Sequence, residues 1–338
     1  MDERTHSWIA IRAILLLEDE GLSANLVSLL KPQAFKAFVG AWIPDQIDAK
    51  RGGSGSSTDN HVLKMEPYTG SQRERFVMEK PALLSEIGSY RLMAQFLTED
   101  QSLDEAWWQN PYRGDVPKPG QHLPNRIMAL STMLKDLLLM GDPLIDHLIP
   151  GDIRFAQYMD MALRTPQELA VLYFFMLSHF VADVCMPCHC DARKLAAYDN
   201  GLHKELEKYW ARGIGSRFEK KNILKCAQQA DLLCLQVREV DAHFDLHFNA
   251  GPLPVLAKGH DEWLEAVYLC RASFAVASIM APYRQYPYDN TVPSAPFAEL
   301  FGGTREDLLL GISHVVLHDA VLNTAIFWKH LWTKISKD

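Results

Sequence analysis

One stretch, TPQELAVLYFFMLSHFVADVCM at 165–186, constrains the fold of this chain more than any other. Its apolar residues recur at helical spacing and cover nearly the whole circumference, which is typical of a buried helix. Thr165 suits the N-cap, Pro166 suits the first helical position, and Glu168 completes a capping box. Pro187 then ends the run. The sequence therefore predicts a long helix in the interior of the molecule.

Helical spacing also marks four other segments, which are 8–17, 201–212, 261–281 and 305–336. Convincing alternating strand patterns are absent, and RGGSGSSTDN at 51–60 has the composition of a flexible loop. No composition break marks a domain boundary. We predict a single all-α domain over 1–338, with long connecting loops and a loop-rich insertion at about 62–160.

Charge and composition exclude some classes of protein. Lys and Arg number 34 against 42 Asp and Glu, a net charge of −8. This balance argues against a large basic surface, so we expect no stable nucleic-acid complex. No secretory signal is visible, and no run reaches about eighteen uninterrupted apolar residues. Six cysteines do not suggest a disulfide scaffold. We expect a cytoplasmic protein, secreted only if a leader was removed.

Ligand-type side chains cluster around the end of the predicted interior helix. His179 and Asp183 are four residues apart and therefore project from one helix face. His189 follows Pro187, and His203 and Glu207 repeat the four-residue spacing on the next predicted helix. Imidazole and carboxylate together are the ligands that suit zinc at a catalytic site. Three further candidates lie upstream: His6, Asp45 and His61.

Other residues offer alternative ligands. Cys185, Cys188 and Cys190 contain a C-x2-C pattern, but no second pair completes a structural zinc site, so we interpret them as buried apolar residues. Asp48 and Asp59 flank the same loop as Asp45 and remain open as substitutes for it. Two further histidine pairs have plausible spacing but fall in no motif, and we leave them out of the site: His243 with His247, and His314 with His318.

Taken together, these motifs resemble those of the bacterial zinc-dependent phospholipase C family, to which the single-strand-specific zinc nucleases are structurally related. THSWIAIRAI resembles the family's first-helix motif, and WIPDQIDAK resembles its Pro-Asp segment. LSHFVADVCMPCH fits the H-x3-D-x5-H signature, and GLHKELE fits the final H-x3-E. The motifs cover roughly the first 210 residues. The resemblance implies the helical fold of that family.

The resemblance also implies up to three zinc ions. Their ligand sets would be Asp45, His61, His179 and Asp183; His189, His203 and Glu207; and Asp183 with His6 and the amine and carbonyl of residue 1. Family members begin with a tryptophan after processing, whereas residue 1 is Met1 in this chain.

The function implied is zinc-dependent hydrolysis of a phosphodiester, phospholipase C-like, by a metal-activated water. The substrate would be a phospholipid or a related phosphate ester. To reach a phospholipid, the protein would contact a membrane peripherally. Asp45 would accept a hydrogen bond from the attacking water. The nucleases typically end in H-x3-D and place an aromatic residue after the loop histidine, where this chain has Val62. A single-strand-specific nuclease and a metal-stabilised scaffold with little turnover stay open as alternatives.

Overall fold

The computed structural model describes 1–19, 23–45, 61, 63, 123–140, 166–191, 202–214, 244, 262–280 and 305–336 of the 338 residues. Within these ranges 93% of the residues are helical and no strand is present, which confirms the predicted all-α class. The extent of a single domain over 1–338 stays a prediction. Most of the expected insertion at about 62–160 lies outside the described residues.

Nine α-helices and one 3-10 helix are described. In chain order they are α1 (Glu3–Asp19), α2 (Ala24–Leu30), the 3-10 helix (Lys31–Lys36), α3 (Ala37–Gly40), α4 (Leu123–Met140), α5 (Pro166–Val184), α6 (Pro187–Cys190), α7 (Leu202–Ile214), α8 (Glu262–Met280) and α9 (Arg305–Ile335). Five of them, α1, α5, α7, α8 and α9, correspond to the five helical segments predicted from apolar spacing. The helix α4 falls inside the stretch expected to be rich in loops.

Helix α5 forms the centre of the described core. Every residue from Leu169 to Val184 is buried, and α5 packs against α1, α3, α4, α8 and α9. Trp328 of α9 lies edge-on to Phe174 and Phe175, and its indole N–H donates to the Phe174 carbonyl at 2.9 Å. A helix that is apolar all round has to be enclosed on all sides, and its neighbours supply that enclosure.

The helix ends two residues earlier than the apolar pattern predicts, and Pro187 opens α6 instead of only terminating α5. Met186 has φ −83° and ψ 111°, which is the extended conformation that a residue before proline prefers. Pro187 then occupies the first turn of α6. The freed carbonyl of Val184 accepts hydrogen bonds from Ser273 Oγ at 2.5 Å and Cys190 Sγ at 3.5 Å. The break therefore turns the chain so that α6 lies across the end of α5.

Two described helices are long and apolar enough to cross a membrane when judged by length and composition: Pro166–Val184 and Leu309–Ile335. In the folded chain 89% and 72% of their apolar windows are buried. Burial of this extent is typical of core helices, so these two segments are weak evidence for a membrane span. The expected cytoplasmic location stays a prediction.

Candidate metal centre

The carboxylate of Asp183 lies at the centre of the converging side chains. It projects from the last turn of α5, one turn beyond His179, and its side chain is only 2% exposed. Its two oxygens face different partners. Oδ2 lies 2.9 Å from His61 Nδ1 and 3.2 Å from His179 Nε2, whereas Oδ1 lies 3.2 Å from His189 Nδ1 and 3.5 Å from His6 Nε2. This arrangement allows one carboxylate to serve two neighbouring ions.

His189, His203 and Glu207 form a second group. Nε2 of His189, on α6, lies 3.1 Å from Nε2 of His203, and the same atom of His203 lies 3.0 Å from Glu207 Oε1. His203 and Glu207 meet because they are one turn apart on α7. The chain reversal at Met186 and Pro187 brings His189 to them. His189 therefore contacts both groups, through Nδ1 towards Asp183 and through Nε2 towards His203.

The amine of Met1 and the ring of His6 enter the cluster from the start of the chain. The Met1 nitrogen is buried, 3.0 Å from Glu207 Oε1 and 3.6 Å from Asp183 Oδ1. Asp2 accepts hydrogen bonds from the Thr5 amide and hydroxyl, which fixes the first turn of α1. The His6 ring then stacks on His179 with centroids 3.8 Å apart. The α-amine thus lies near Asp183 and His6, with which the resemblance implies a third ion, although Glu207 of the second set is the carboxylate nearest to it.

Asp45 lies at the solvent edge of the cluster. Its Oδ1 is 3.6 Å from His179 Nε2 and 3.7 Å from His61 Nδ1. Its side chain is 39% exposed and that of Glu207 is 27% exposed, whereas the side chains of His6 and His179 are fully buried. Asp48 and Asp59, the two alternatives to Asp45, lie outside the described residues.

Three groups of described residues could hold a metal ion, with ligand atoms that all lie within 4.8 Å of one another. They are His6, Asp45 and His179; His61, His179 and Asp183; and His189, His203 and Glu207. The third group is the second ligand set implied by the resemblance, and the second group is the first set without Asp45. The first group differs from the implied sets, because it joins His6 to Asp45 and His179, which the resemblance assigns to a different ion. The structure thus brings all eight predicted ligand side chains, and the Met1 amine, into one neighbourhood.

The distances between ligand atoms, and the buried polar atoms that lack hydrogen bonds, both fit a site for a metal ion. Two ligands of one tetrahedral zinc, each about 2.0–2.1 Å from the ion, lie about 3.3 Å apart. His61 Nδ1 and His179 Nε2 are 3.0 Å apart, close to that separation. Several buried polar atoms make no well-aligned hydrogen bond within the described residues, although some of them lie 3.2–3.5 Å apart: both ring nitrogens of His6, Asp183 Oδ1 and His189 Nδ1. Buried polar atoms are costly without a partner, and a cation would supply one.

Electrostatics in the cluster favour neutral imidazoles beside an ionised carboxylate. Burial lowers the pKa of His189 to about 3, against the opposing effect of Asp183. Burial, together with the neighbouring His179, also lowers the pKa of His6 well below its ordinary value. Burial alone would raise the pKa of Asp183, but His189, His179 and the Met1 amine hold it well below its ordinary value. Metal ions bind deprotonated ligands, so these groups are already in a suitable state.

The competing candidates lie outside the three groups. Cys185, Cys188 and Cys190 are buried free thiols, and burial raises the pKa of Cys185 well above its ordinary value. This agrees with their interpretation as apolar core residues. His314 and His318 are on α9, where His318 approaches the neighbouring Asp319 at 3.3 Å. His243 and His247 lie outside the described residues.

One hydrogen bond of the centre is made to a backbone carbonyl and therefore could not be predicted from residue types. The carbonyl oxygen of Ala41, in the turn that follows α3, accepts a hydrogen bond from His179 Nδ1 at 2.8 Å. The proton on Nδ1 leaves the lone pair of the neutral ring on Nε2, the atom that faces Asp183. A backbone acceptor carries no residue signature, so sequence motifs give no signal for it.

No protein-family model, no curated protein and no solved structure matches the chain.

Proposed function

We propose that the chain is a zinc-dependent phosphodiester hydrolase that cleaves a phospholipid or a related phosphate ester in the manner of a phospholipase C. The observation that carries this proposal is the divided carboxylate of Asp183. One oxygen faces His61 and His179, and the other faces His6, His189 and the Met1 amine. Clusters of close metal ions that share a carboxylate are a means of activating water against phosphorus.

Zinc is the metal that this donor set favours. The ligands are imidazoles, carboxylates and one amine, and the described cysteines are buried free thiols outside the three groups. His61, His179, Asp183 and Asp45 would hold one ion, and His189, His203 and Glu207 would hold another. Met1 and His6 would complete a third with Asp183. Zinc in such a site lowers the pKa of a bound water and offsets negative charge on phosphoryl oxygens.

Asp45 is assigned the role of hydrogen-bond acceptor for the attacking water. Its carboxylate is the most exposed of the acidic ligands, at 39% against 27% for Glu207 and 2% for Asp183, so it lies at a solvent-facing edge of the cluster. A carboxylate at that edge can orient water and take up its proton. The buried side chains behind it, His6 and His179, hold the ions and have no contact with bulk solvent.

A phosphate ester of a small alcohol is favoured as substrate over single-stranded nucleic acid. The H-x3-E ending at Glu207 and the THSWIAIRAI and Pro-Asp segments resemble the phospholipases. Val62 stands where the nucleases typically have an aromatic residue on which a base can stack.

A panel of substrates tests the proposal. Protein stripped with a chelator and reloaded with zinc is assayed on phosphatidylcholine vesicles, a chromogenic phosphocholine ester and single-stranded DNA. We expect hydrolysis of a choline ester that a chelator abolishes and zinc restores. Turnover of DNA alone would replace the proposal with the nuclease alternative. Zinc binding without turnover of any substrate would favour a metal-stabilised scaffold, and full activity in metal-free protein would refute the metal mechanism.

A further inference from the structure

The place where α3 meets α5 has no room for a side chain on Gly40. A Cβ on Gly40 would overlap the Cβ of Phe175 and would lie 3.1 Å from the carbonyl oxygen of Leu172. Neither of these atoms can rotate away, since one is fixed to the backbone of α5 and the other belongs to it. Phe175 is itself fully buried against Trp328. The two helices can therefore approach this closely only because residue 40 is a glycine.

This close approach lies next to the centre on the same face of α5. Phe175 and His179 are one helical turn apart, and residues with that spacing lie one above the other. Gly40 meets Phe175, and the next residue, Ala41, accepts the 2.8 Å hydrogen bond from His179 Nδ1. The separation of the helices at Gly40 thus sets the length of the Ala41–His179 bond.

The close approach of α3 to α5 at Gly40 also places Asp45 near the cluster. Backbone hydrogen bonds from Ala41 to Ala37 and from Trp42 to Val39 continue α3 into the turn, so the segment that leads to Asp45 moves with it. Asp45 Oδ1 ends 3.6 Å from His179 Nε2. A shift of α3 away from α5 would lengthen both contacts with His179, one on each ring nitrogen.

We infer that Gly40 is a positioning residue for the metal centre: its missing side chain lets the Ala41 carbonyl fix the proton of His179 on Nδ1, with Nε2 directed at the metal, and lets Asp45 reach the same ion. Backbone or carboxylate partners of ligating histidines orient the ring, and their loss weakens metal binding by about 10–100-fold. Gly40 acts through these groups and touches neither metal nor substrate. The inference rests on the metal binding that the proposed function requires.

Gly40→Ala is the direct test, with zinc affinity measured by competition against a chelator. We expect zinc at the ligand set containing His179 to bind about 10–100-fold more weakly. In spectra of protein labelled with ¹⁵N-histidine, the signals of His61 and His179 should respond only at higher zinc, whereas those of His189 and His203 should respond as in the wild type. Equal zinc response of all four histidines in a folded Gly40→Ala variant would overturn the inference.

Leu134→Ala serves as a control for loss of stability alone. Leu134 is fully buried in α4 and belongs to none of the three ligand groups. Its neighbour Lys135 pairs with Glu262, about three helical turns along α8 from Ser273, which contacts the end of α5. This variant should be destabilised and yet keep wild-type zinc affinity. A similar loss of affinity in Leu134→Ala would assign the Gly40→Ala effect to general destabilisation and would refute positioning.

Wild-type protein supplies a second test in case Gly40→Ala does not fold. The ¹⁵N spectrum of metal-free protein should assign the neutral His179 proton to Nδ1, and zinc should shift the Nε2 resonance. A proton on Nε2, or zinc ligation through Nδ1, would overturn the inference. If zinc shifts no histidine of the wild type, the proposed function fails, whereas the proton assignment in the metal-free protein still decides the role of the Ala41 carbonyl.

Discussion

Asp183 is the residue whose loss should damage the centre most. Asp183→Asn keeps the size of the side chain but removes its charge and replaces one oxygen with an amide NH2 group, which has no lone pair to offer a cation. Because the two oxygens face two ligand groups, we expect both groups to lose metal. His203→Ala touches only one group and should cost less. Metal content after dialysis, measured by elemental analysis, compares the two variants.

A substitution of Asp45 should impair catalysis more than metal binding. Its carboxylate is the most exposed of the acidic ligands and lies 3.6–3.7 Å from its histidine neighbours, further than the other ligand pairs of its group. We expect Asp45→Asn to lower kcat by about 10²–10⁴-fold, the range for loss of a general base, with a smaller loss of zinc affinity. Steady-state kinetics and zinc competition on the same protein check this. Unchanged kcat at saturating zinc would remove Asp45 from the chemistry.

At the scale of residues, spacing along the chain predicted five of the eight ligand side chains that the structure brings together, and the resemblance to the phospholipase motifs added His6, Asp45 and His61. The i, i+4 pairs His179–Asp183 and His203–Glu207 carry their geometry in the sequence because a helix fixes it. The contributions of Ala41 and Gly40 were not predictable, since one is a backbone carbonyl and the other is an absent side chain. Both depend on how α3 packs against α5, and local sequence does not encode that contact.

At the scale of elements, the contact between α9 and α5 should be a main source of stability. Trp328 is fully buried, packs on Phe174 and Phe175, and donates to the Phe174 carbonyl. We expect Trp328→Ala to lower the free energy of unfolding by about 3–5 kcal/mol, the range for large core truncations. Trp328→Phe keeps part of the packing and should cost less. Urea denaturation measures the free energy of unfolding of both variants. An equal loss in Trp328→Phe and Trp328→Ala would show that ring packing at this position contributes little to stability.

A second contact joins three helices at the N-terminus of α8. Glu262 is buried, with Oε1 2.9 Å from Lys334 Nζ, 3.4 Å from Lys135 Nζ and 3.6 Å from His330 Nε2. A carboxylate there also suits the helix dipole. We expect Glu262→Gln to cost about 1.5–3 kcal/mol of stability at neutral pH, the range for hydrogen bonds to charged groups.

This loss should depend on pH in a defined direction. Burial raises the pKa of Glu262, but the hydrogen bond from Lys334 and the charge of Lys135 bring it below the ordinary 4.5. The folded state therefore holds the proton less tightly than the unfolded state, so this stabilisation is complete above about pH 4.5 and is lost as the pH falls further. Urea denaturation should show the wild type and Glu262→Gln converging in acid. Glu18→Gln, at the exposed Lys31 pair, is the control and should change stability by about 0–1 kcal/mol.

Helices are predictable from the sequence where apolar residues recur at helical spacing without interruption and residues typical of helix ends flank the run. The end of α5 was misplaced by two residues because the proline constrains the residue before it, Met186, as well as itself. Helix α4 was not singled out, although its buried residues Ile127, Leu130, Leu134 and Leu137 follow helical spacing. The residues before α4 are rich in Pro and Gly, which favour loops, so the composition of the whole stretch conceals the helical signal of 123–140.

At the scale of the whole molecule, the centre joins parts of the chain that are far apart in sequence. Ligands come from the first residues, α1, the segment after α3, α5, α6 and α7, and several of them are buried with unsatisfied polar atoms. In the absence of metal these groups oppose the apolar packing around α5, because each buried unpaired polar atom costs about 1–3 kcal/mol. Metal binding should therefore be coupled to the stability of the entire fold.

Zinc should accordingly raise the thermal unfolding midpoint of the wild type. A ligand that binds only the folded state at about 100 times its Kd adds about 2.7 kcal/mol of stability. Asp183→Asn should lose most of this increase, since both ligand groups are impaired. Glu262→Gln should keep the full increase despite its lower starting stability, because Glu262 lies about three helical turns from Ser273, the residue of α8 that contacts the end of α5. Calorimetry with and without zinc makes the comparison, and equal increases in all three proteins would show that zinc binds elsewhere.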